Sequence, residues 1–193
     1  MAGHYALWKS DVKRMLPAEA GAFGSLKAIL LTQGIWAVTM FRLGAWLRTL
    51  PAPLRLPLSL LFTPAHKLVE CLSGIEVPTS VQAGPGLYIG HFGGIILHWQ
   101  VRLGSNVNLS QGVTIGIGGS GVGRGVPTIG SRVYIGPGAK VFGPITIGDD
   151  CIIGANAVVS HSIPPRSVVA GIPGRVLRTA TATDIDQIIF GHD

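Results

Sequence analysis

The sequence predicts a mainly β protein: a parallel β-helix of hexapeptide repeats, preceded by a short α-helical N-terminal region. Three observations carry this. Aliphatic or small residues recur every six positions at Ala83, Ile89, Ile95, Val101, Val107 and Val113, and again at Ile129, Ile135, Val141, Ile147, Ile153 and Val159. A glycine often follows (Gly84, Gly90, Gly130, Gly136, Gly148, Gly154), as sharp backbone corners require. Many of the 28 glycines sit on this register and not in linkers. A six-residue period makes each repeat one face of a triangular prism, three repeats to a coil, with the aliphatic residue stacked inward.

Residues 1–73 read as the helical region. Leu26, Ile29, Leu30, Gln33, Ile35, Trp36, Met40 and Leu43 form an imperfect helical stripe. Leu50-Pro51-Ala52-Pro53 ends it, and Pro57 and Pro64 are expected to restrict the rest of this region to short pieces. This region carries most of the formal charge of +6: eight cations against Asp11, Glu19 and Glu70 in residues 1–72. Such a basic, apolar segment suits either an anionic membrane surface or its own helical bundle or oligomer interface. Its longest charge-free run, Ala28 to Phe41, falls short of the roughly 20 residues a spanning helix needs.

The prism domain is expected over 74–180 and a tail over 181–193. Between Val113 and Ile129 the repeat gains ten residues, Gly118 to Pro127, a glycine-rich loop with Arg124 as its single charge. A smooth prism has no cleft, so a corner loop is how it makes one. Ala170-Gly171-Ile172-Pro173-Gly174-Arg175 closes the last coil and covers its strand edges. A short helix, Asp184 to Phe190, comes next, with Thr183 or Asp184 as cap.

With 47% apolar and 12% charged residues the chain is not disordered. Cys71 and Cys151 match neither a disulfide framework nor a metal site, and the N-terminus lacks a signal-peptide layout; both fit a cytoplasmic protein. Scattered basic residues without interleaved aromatics give no support to nucleic-acid binding.

His91 lies two residues past the inward Ile89, on the outer wall, and Glu76 lies fifteen residues earlier, close to one turn of the prism. A carboxylate stacked near an imidazole can orient a general base. From the residues alone the pair reads equally as a surface histidine and an unrelated glutamate. His98 and Trp99 suit either an acceptor pocket or a subunit contact, and His161 reads as structural.

The segment from Gly74 to Arg178 resembles serine acetyltransferase, a trimeric left-handed β-helix enzyme that uses acetyl-CoA. The matching residues are Gly74-Ile75-Glu76-Val77, Gly90-His91, Gln111-Gly112-Val113-Thr114-Ile115-Gly116, Arg124 with Pro127, Ile135-Gly136-Pro137-Gly138-Ala139-Lys140, and Ala170 to Arg175. The resemblance implies His91 as general base, Glu76 as its orienting carboxylate and Arg124 as the loop arginine, with Gly90 near the acceptor. It implies acetyl-CoA along a groove touching Gly116, Gly118, Pro137, Ala155, Pro173 and Arg175, in a homotrimer whose sites are shared between chains. A dimer of trimers is left open, and no metal is implied.

Departures from the family pattern shift the expected acceptor. The aspartate before the catalytic histidine, which helps hold the serine amino group, is here Gly90. A histidine after the loop arginine is Gly125, and the dyad aspartate is Glu76. The helical region is shorter, and Phe190-Gly191-His192-Asp193 lacks the terminal isoleucine that docks into the sulfhydrylase partner, so no such docking is expected. Losing paired polar groups should weaken amino-acid binding. The expectation is therefore a saccharide acceptor, as in acetyltransferases associated with exopolysaccharide biosynthesis. L-Serine, its carboxylate read by Arg102 or Arg124, is the alternative. A three-histidine metal site finds no third ligand beside His91 and His98, and a non-catalytic trimeric scaffold is the remote alternative.

Overall fold

The computed structural model describes residues 3–17 and 21–191; Glu19 of the acid count and His192 and Asp193 of the expected tail lie outside the described residues. Four helices precede the prism: α1 (His4–Met15), α2 (Ala22–Leu31), α3 (Gln33–Leu47) and α4 (Ala52–Ser73). Ile35, Val38, Phe41 and Leu47 of α3 are buried, between α1 and α4 and against the first coil. Gly34 allows that approach, because a Cβ there would run into the Ile89 carbonyl. The single stripe expected over Leu26–Leu43 is two helices bent by 80°. Thr32 is extended between them, and Trp36 Nε1 donates to the Ile29 carbonyl at 2.8 Å, replacing a bond lost at the break.

The prolines do not divide α4, which runs unbroken for 22 residues with Pro57 and Pro64 inside it. Each proline removes one ladder hydrogen bond. The carbonyls so freed belong to the exposed residues Pro53 and Leu60, where water can bond them. Gly74, at φ 64°, ends the helix in the left-handed region. No single described helix is long and apolar enough to cross a membrane; α2 and α3 pass that test only as a bent pair.

Each coil visits three sheets in turn. Sheet A holds β1 (Ile75–Glu76), β4 (Ile95–Leu97), β7 (Thr114–Gly116), β10 (Lys140–Phe142) and β13 (Val158–Val159). Sheet B holds β2 (Gln82–Ala83), β5 (Arg102–Leu103), β8 (Thr128–Ile129) and β11 (Thr146–Ile147). Sheet C holds β3 (Tyr88–Ile89), β6 (Asn108–Leu109), β9 (Tyr134–Ile135), β12 (Ile152–Ile153) and β14 (Ser167–Ala170), and ends in the antiparallel β15 (Arg175–Thr179). The fold is thus a left-handed parallel β-helix with a helical N-terminal region.

Of the twelve residues expected inside, all but the half-buried Ala83 are at most 1% exposed. They do not form one ladder, however. Ile89 stacks on Leu109, twenty residues on, whereas Ile135 stacks on Ile153, eighteen on. The frame slips by two residues at β4, where Ile95 and Leu97 both point inward. Each repeat offers two inward positions, so the slip changes the phase without exposing an apolar group.

Gly118 and Gly125 exchange both backbone hydrogen bonds at 3.0 Å, closing a hairpin around a 3-10 turn at Gly121–Gly123. The protruding piece is therefore shorter than Gly118–Pro127: Val126 packs on the core and Pro127 is buried. The last helix, α5 (Ala182–Phe190), is capped by Thr181, whose hydroxyl accepts from the Asp184 amide at 3.1 Å. Asp184 bonds back to the Thr181 amide at 2.8 Å, so it completes the cap instead of forming it. Ile185 and Ile189 seat α5 on the outer face of sheet C, against Tyr134, Ile152 and Val168.

Candidate active site

The corner between sheets C and A has almost no side chains at its turning point. Gly74, Gly94, Gly112 and Gly138 stand there in successive coils with φ from 64° to 73°, followed by Asn156 at 55°. They stack so closely that a Cβ on Gly94 would lie 3.3 Å from the Gly112 Cα, and one on Gly112 the same from Gly138. This column makes a strip along the prism edge that contributes no side chains of its own before Asn156, and Lys140 Nζ donates to the Gly112 carbonyl within it.

His91 is exposed at the upper end of the strip, two residues beyond Ile89. It lines a depression of about 220 Å³ with Tyr88, Gly90, Asn108, Ser110, Gln111, Tyr134, Pro137 and, from α5, Ile188. Ser110 Oγ donates to Tyr134 Oη at 3.3 Å. The wall is tied down from behind by Arg14 of α1, which donates to the Gly86 and Ile189 carbonyls and, at 2.9 Å, to Asn108 Oδ1. Its guanidinium also lies 5.5 Å from the Tyr88 ring centre and 5.2 Å from that of Phe190. Burial lowers the Arg14 pKa to about 10, so it stays cationic at neutral pH.

The expected site residues divide between two corners. Gly90, Pro137, Ala155 and Pro173 share the C–A corner with His91, and Arg175 begins β15 just beyond its last turn. His98, Trp99, Gly118 and Arg124 lie at the A–B corner, with Gly116 at the end of β7 leading into it. Arg124 is exposed at the hairpin base, and Trp99 is 56% exposed. One chain therefore does not bring Arg124, His98 or Trp99 into the His91 depression. The reason is the triangular path: residues on successive corners point away from one another. Glu76 lies on the outer face of sheet A, in a separate depression with Lys67, Glu70, Cys71 and Ile96. Among the described residues no hydrogen bond joins it to His91.

Sequence reasoning passed over Tyr88, Asn108, Ser110, Gln111, Tyr134 and Ile188. The signal for Tyr88, Asn108 and Tyr134 was present: each precedes an inward residue of sheet C (Ile89, Leu109, Ile135), so each faces outward beside the strip. Ile188 carried none, because only α5's docking brings it there.

A family model for "Bacterial transferase hexapeptide (six repeats)" matches residues 127–161. A serine acetyltransferase of Mycobacterium tuberculosis is 36% identical over 169 residues, covering 88% of this chain and 71% of that protein. The chain belongs to the serine acetyltransferase family. Among solved structures, serine acetyltransferase of Neisseria gonorrhoeae in complex with serine aligns with a TM-score of 0.73 at 25% identity, covering 91% of this chain and 69% of that one. The Brucella abortus serine acetyltransferase in complex with coenzyme A aligns with a TM-score of 0.73 at 26% identity, covering 91% and 68%.

Membership makes this protein an acyltransferase and overturns the expected saccharide acceptor, because these relatives are named for serine. Two glycines had motivated that expectation, and the structure gives each a packing reason. A Cβ on Gly125 would meet the Pro144 Cβ at 2.7 Å, beneath the hairpin base. A Cβ on Gly90 would meet Tyr88 Oη at 2.8 Å. At position 90 the Tyr88 ring end stands where a side chain would start, so a residue larger than glycine there would have to displace it.

Proposed function

We propose that this serine acetyltransferase family member transfers the acetyl group of acetyl-CoA to the hydroxyl of L-serine, with His91 as general base. The observation that carries the reading is His91 exposed at the head of the glycine strip. An extended thioester could approach its imidazole there along a column with no side chains of its own. The solved relatives that hold serine and coenzyme A support the two ligands. The residues present fit acetyl-CoA on the same ground, since the glycine column that runs next to Pro137, Ala155 and Pro173 adds no side chains of its own. Bound there, acetyl-CoA supplies an activated acyl group.

His91 accepts the proton of the serine hydroxyl as that oxygen attacks the thioester carbonyl, and returns it to the departing thiolate. Backbone N–H groups near the corner steady the developing oxyanion. Glu76 is proposed as the carboxylate that orients the imidazole, and Arg124 as the group that reads the serine carboxylate.

The division of site residues between two corners supports a homotrimer, in which the A–B corner of one chain meets the C–A corner of the next. The leucines of α4 support it too: Leu54, Leu58, Leu61, Leu68 and Leu72 are 40–75% exposed in the single chain and need a covering surface.

The test is thiol release from acetyl-CoA by purified protein, with and without L-serine. Serine-dependent release is expected, falling by about 10²–10⁴ in His91→Ala. Release that ignores serine or survives the substitution would overturn the reading.

A further inference from the structure

We propose that α2 is a membrane-docking helix, which lies along the surface of an anionic bilayer with Phe23, Leu26 and Leu30 at the headgroup boundary and Lys27 on the lipid phosphates. The inference is independent of the serine reading of the site.

α2 is built the wrong way round for a helix surrounded by protein and water. Phe23, Leu26 and Leu30 are spaced three and four apart and share one face. That face points outward: the three are 53–82% exposed, and none of the helix's ten residues is buried. Its half-buried positions, turned toward the protein, are the small Gly24, Ser25 and Ala28. α5, with nine residues, does the opposite and buries Ile185 and Ile189. Helices shorter than roughly 12–15 residues are marginal in water without such packing, so the outward face of α2 needs an apolar surface against it.

Charge selects the surface. From residue 20 to residue 69 the sequence has five cations and no Asp or Glu. Arg42 is taken by Asp11 and Lys67 by Glu70. Lys27, Arg48 and Arg55 have no ion pair among the described residues. Lys27 is exposed on α2, four residues after Phe23 and three before Leu30. Glu19, the nearest acid in the chain, precedes the helix and lies outside the described residues. A second copy of α2 laid on this face would meet Lys27 with a helix that has no carboxylate to offer. An anionic bilayer offers phosphates to the ammonium and an apolar boundary to the three side chains beside it.

The experiment is co-sedimentation of the full chain with phosphatidylcholine vesicles, with and without phosphatidylglycerol. Wild type should pellet with the phosphatidylglycerol-containing vesicles and stay in solution with phosphatidylcholine alone. Lys27→Glu should lower the partition coefficient at least roughly fivefold, the worth of one basic residue near an anionic surface. Leu26→Glu/Leu30→Glu should abolish pelleting, while the melting temperature and the vesicle-free sedimentation coefficient stay at wild-type values. Should the double variant lose its melting transition, Lys27→Glu alone decides. Wild type left in the supernatant overturns the proposal, as does equal pelleting on both kinds of vesicle or unchanged pelleting by either variant. A double variant that sediments as a smaller assembly overturns it too, by assigning the face to a second copy.

Discussion

Asp11 and Arg42 show how one buried pair holds the helices to the prism. Both are at most 4% exposed, with Arg42 Nε 2.6 Å from Asp11 Oδ2. Asp11 Oδ1 also accepts from the Gly86 and Leu87 amides at 2.7 and 2.9 Å, while Arg42 donates to the Ala83 and Gly84 carbonyls at 2.8 and 2.6 Å. Four backbone groups at a corner of the first coil thus find partners on α1 and α3. Burial pushes the Asp11 carboxyl up, with Arg42 and the two amides pulling the other way. Arg42→Ala would leave that carboxylate buried and unpaired, and should cost about 3–5 kcal/mol in a denaturant titration. Neither partner could be matched from the sequence: thirty-one residues separate them, and nothing in either stretch marks the other.

At the scale of the element, hexapeptide periodicity made the prism legible long before its details. Inward residues could be named because each aliphatic position is selected by burial. The two-residue slip at β4 could not, because the pattern of buried apolar residues is the same on either side of it. The α4 prolines misled for a different reason: an exposed helix tolerates carbonyls that a buried one cannot. Glycines of the C–A corner support a direct comparison. Gly112→Ala places a Cβ at φ 73° against the next coil and should cost about 1–2 kcal/mol, read as a lower melting temperature. Gly116→Ala, whose nearest contact would be 4.0 Å away, should be close to neutral. The cap of α5 predicts a pH effect. Arg178, and then Thr181, hold the Asp184 carboxyl well below the ordinary carboxylate range. Its contribution is therefore complete above the unfolded value of about 3.9 and lost as pH falls towards the folded one. Circular dichroism during acid titration should show Thr181→Ala losing helix at higher pH than wild type.

For the whole molecule, the divided site predicts that assembly and activity fail together. Leu61→Lys on α4 should shift the sedimentation coefficient from trimer to monomer and abolish serine-dependent thiol release, although Leu61 is far in sequence from His91. A monomer that keeps full activity would show that one chain suffices. Legibility ran out at this scale for a geometric reason: the motifs at His91 and Arg124 read as neighbours in function, but the corners on which they sit diverge. A stack of coils ordinarily behaves as a one-dimensional array, able to unzip from either end one repeat at a time. Arg14 changes that. By fastening α1, the first coil and the end of α5 to one another, it joins the two ends of the stack, so neither can fray alone. Opening then has to be collective, and hydrogen exchange across sheet C should proceed with one common free energy instead of a gradient from the last coil upward.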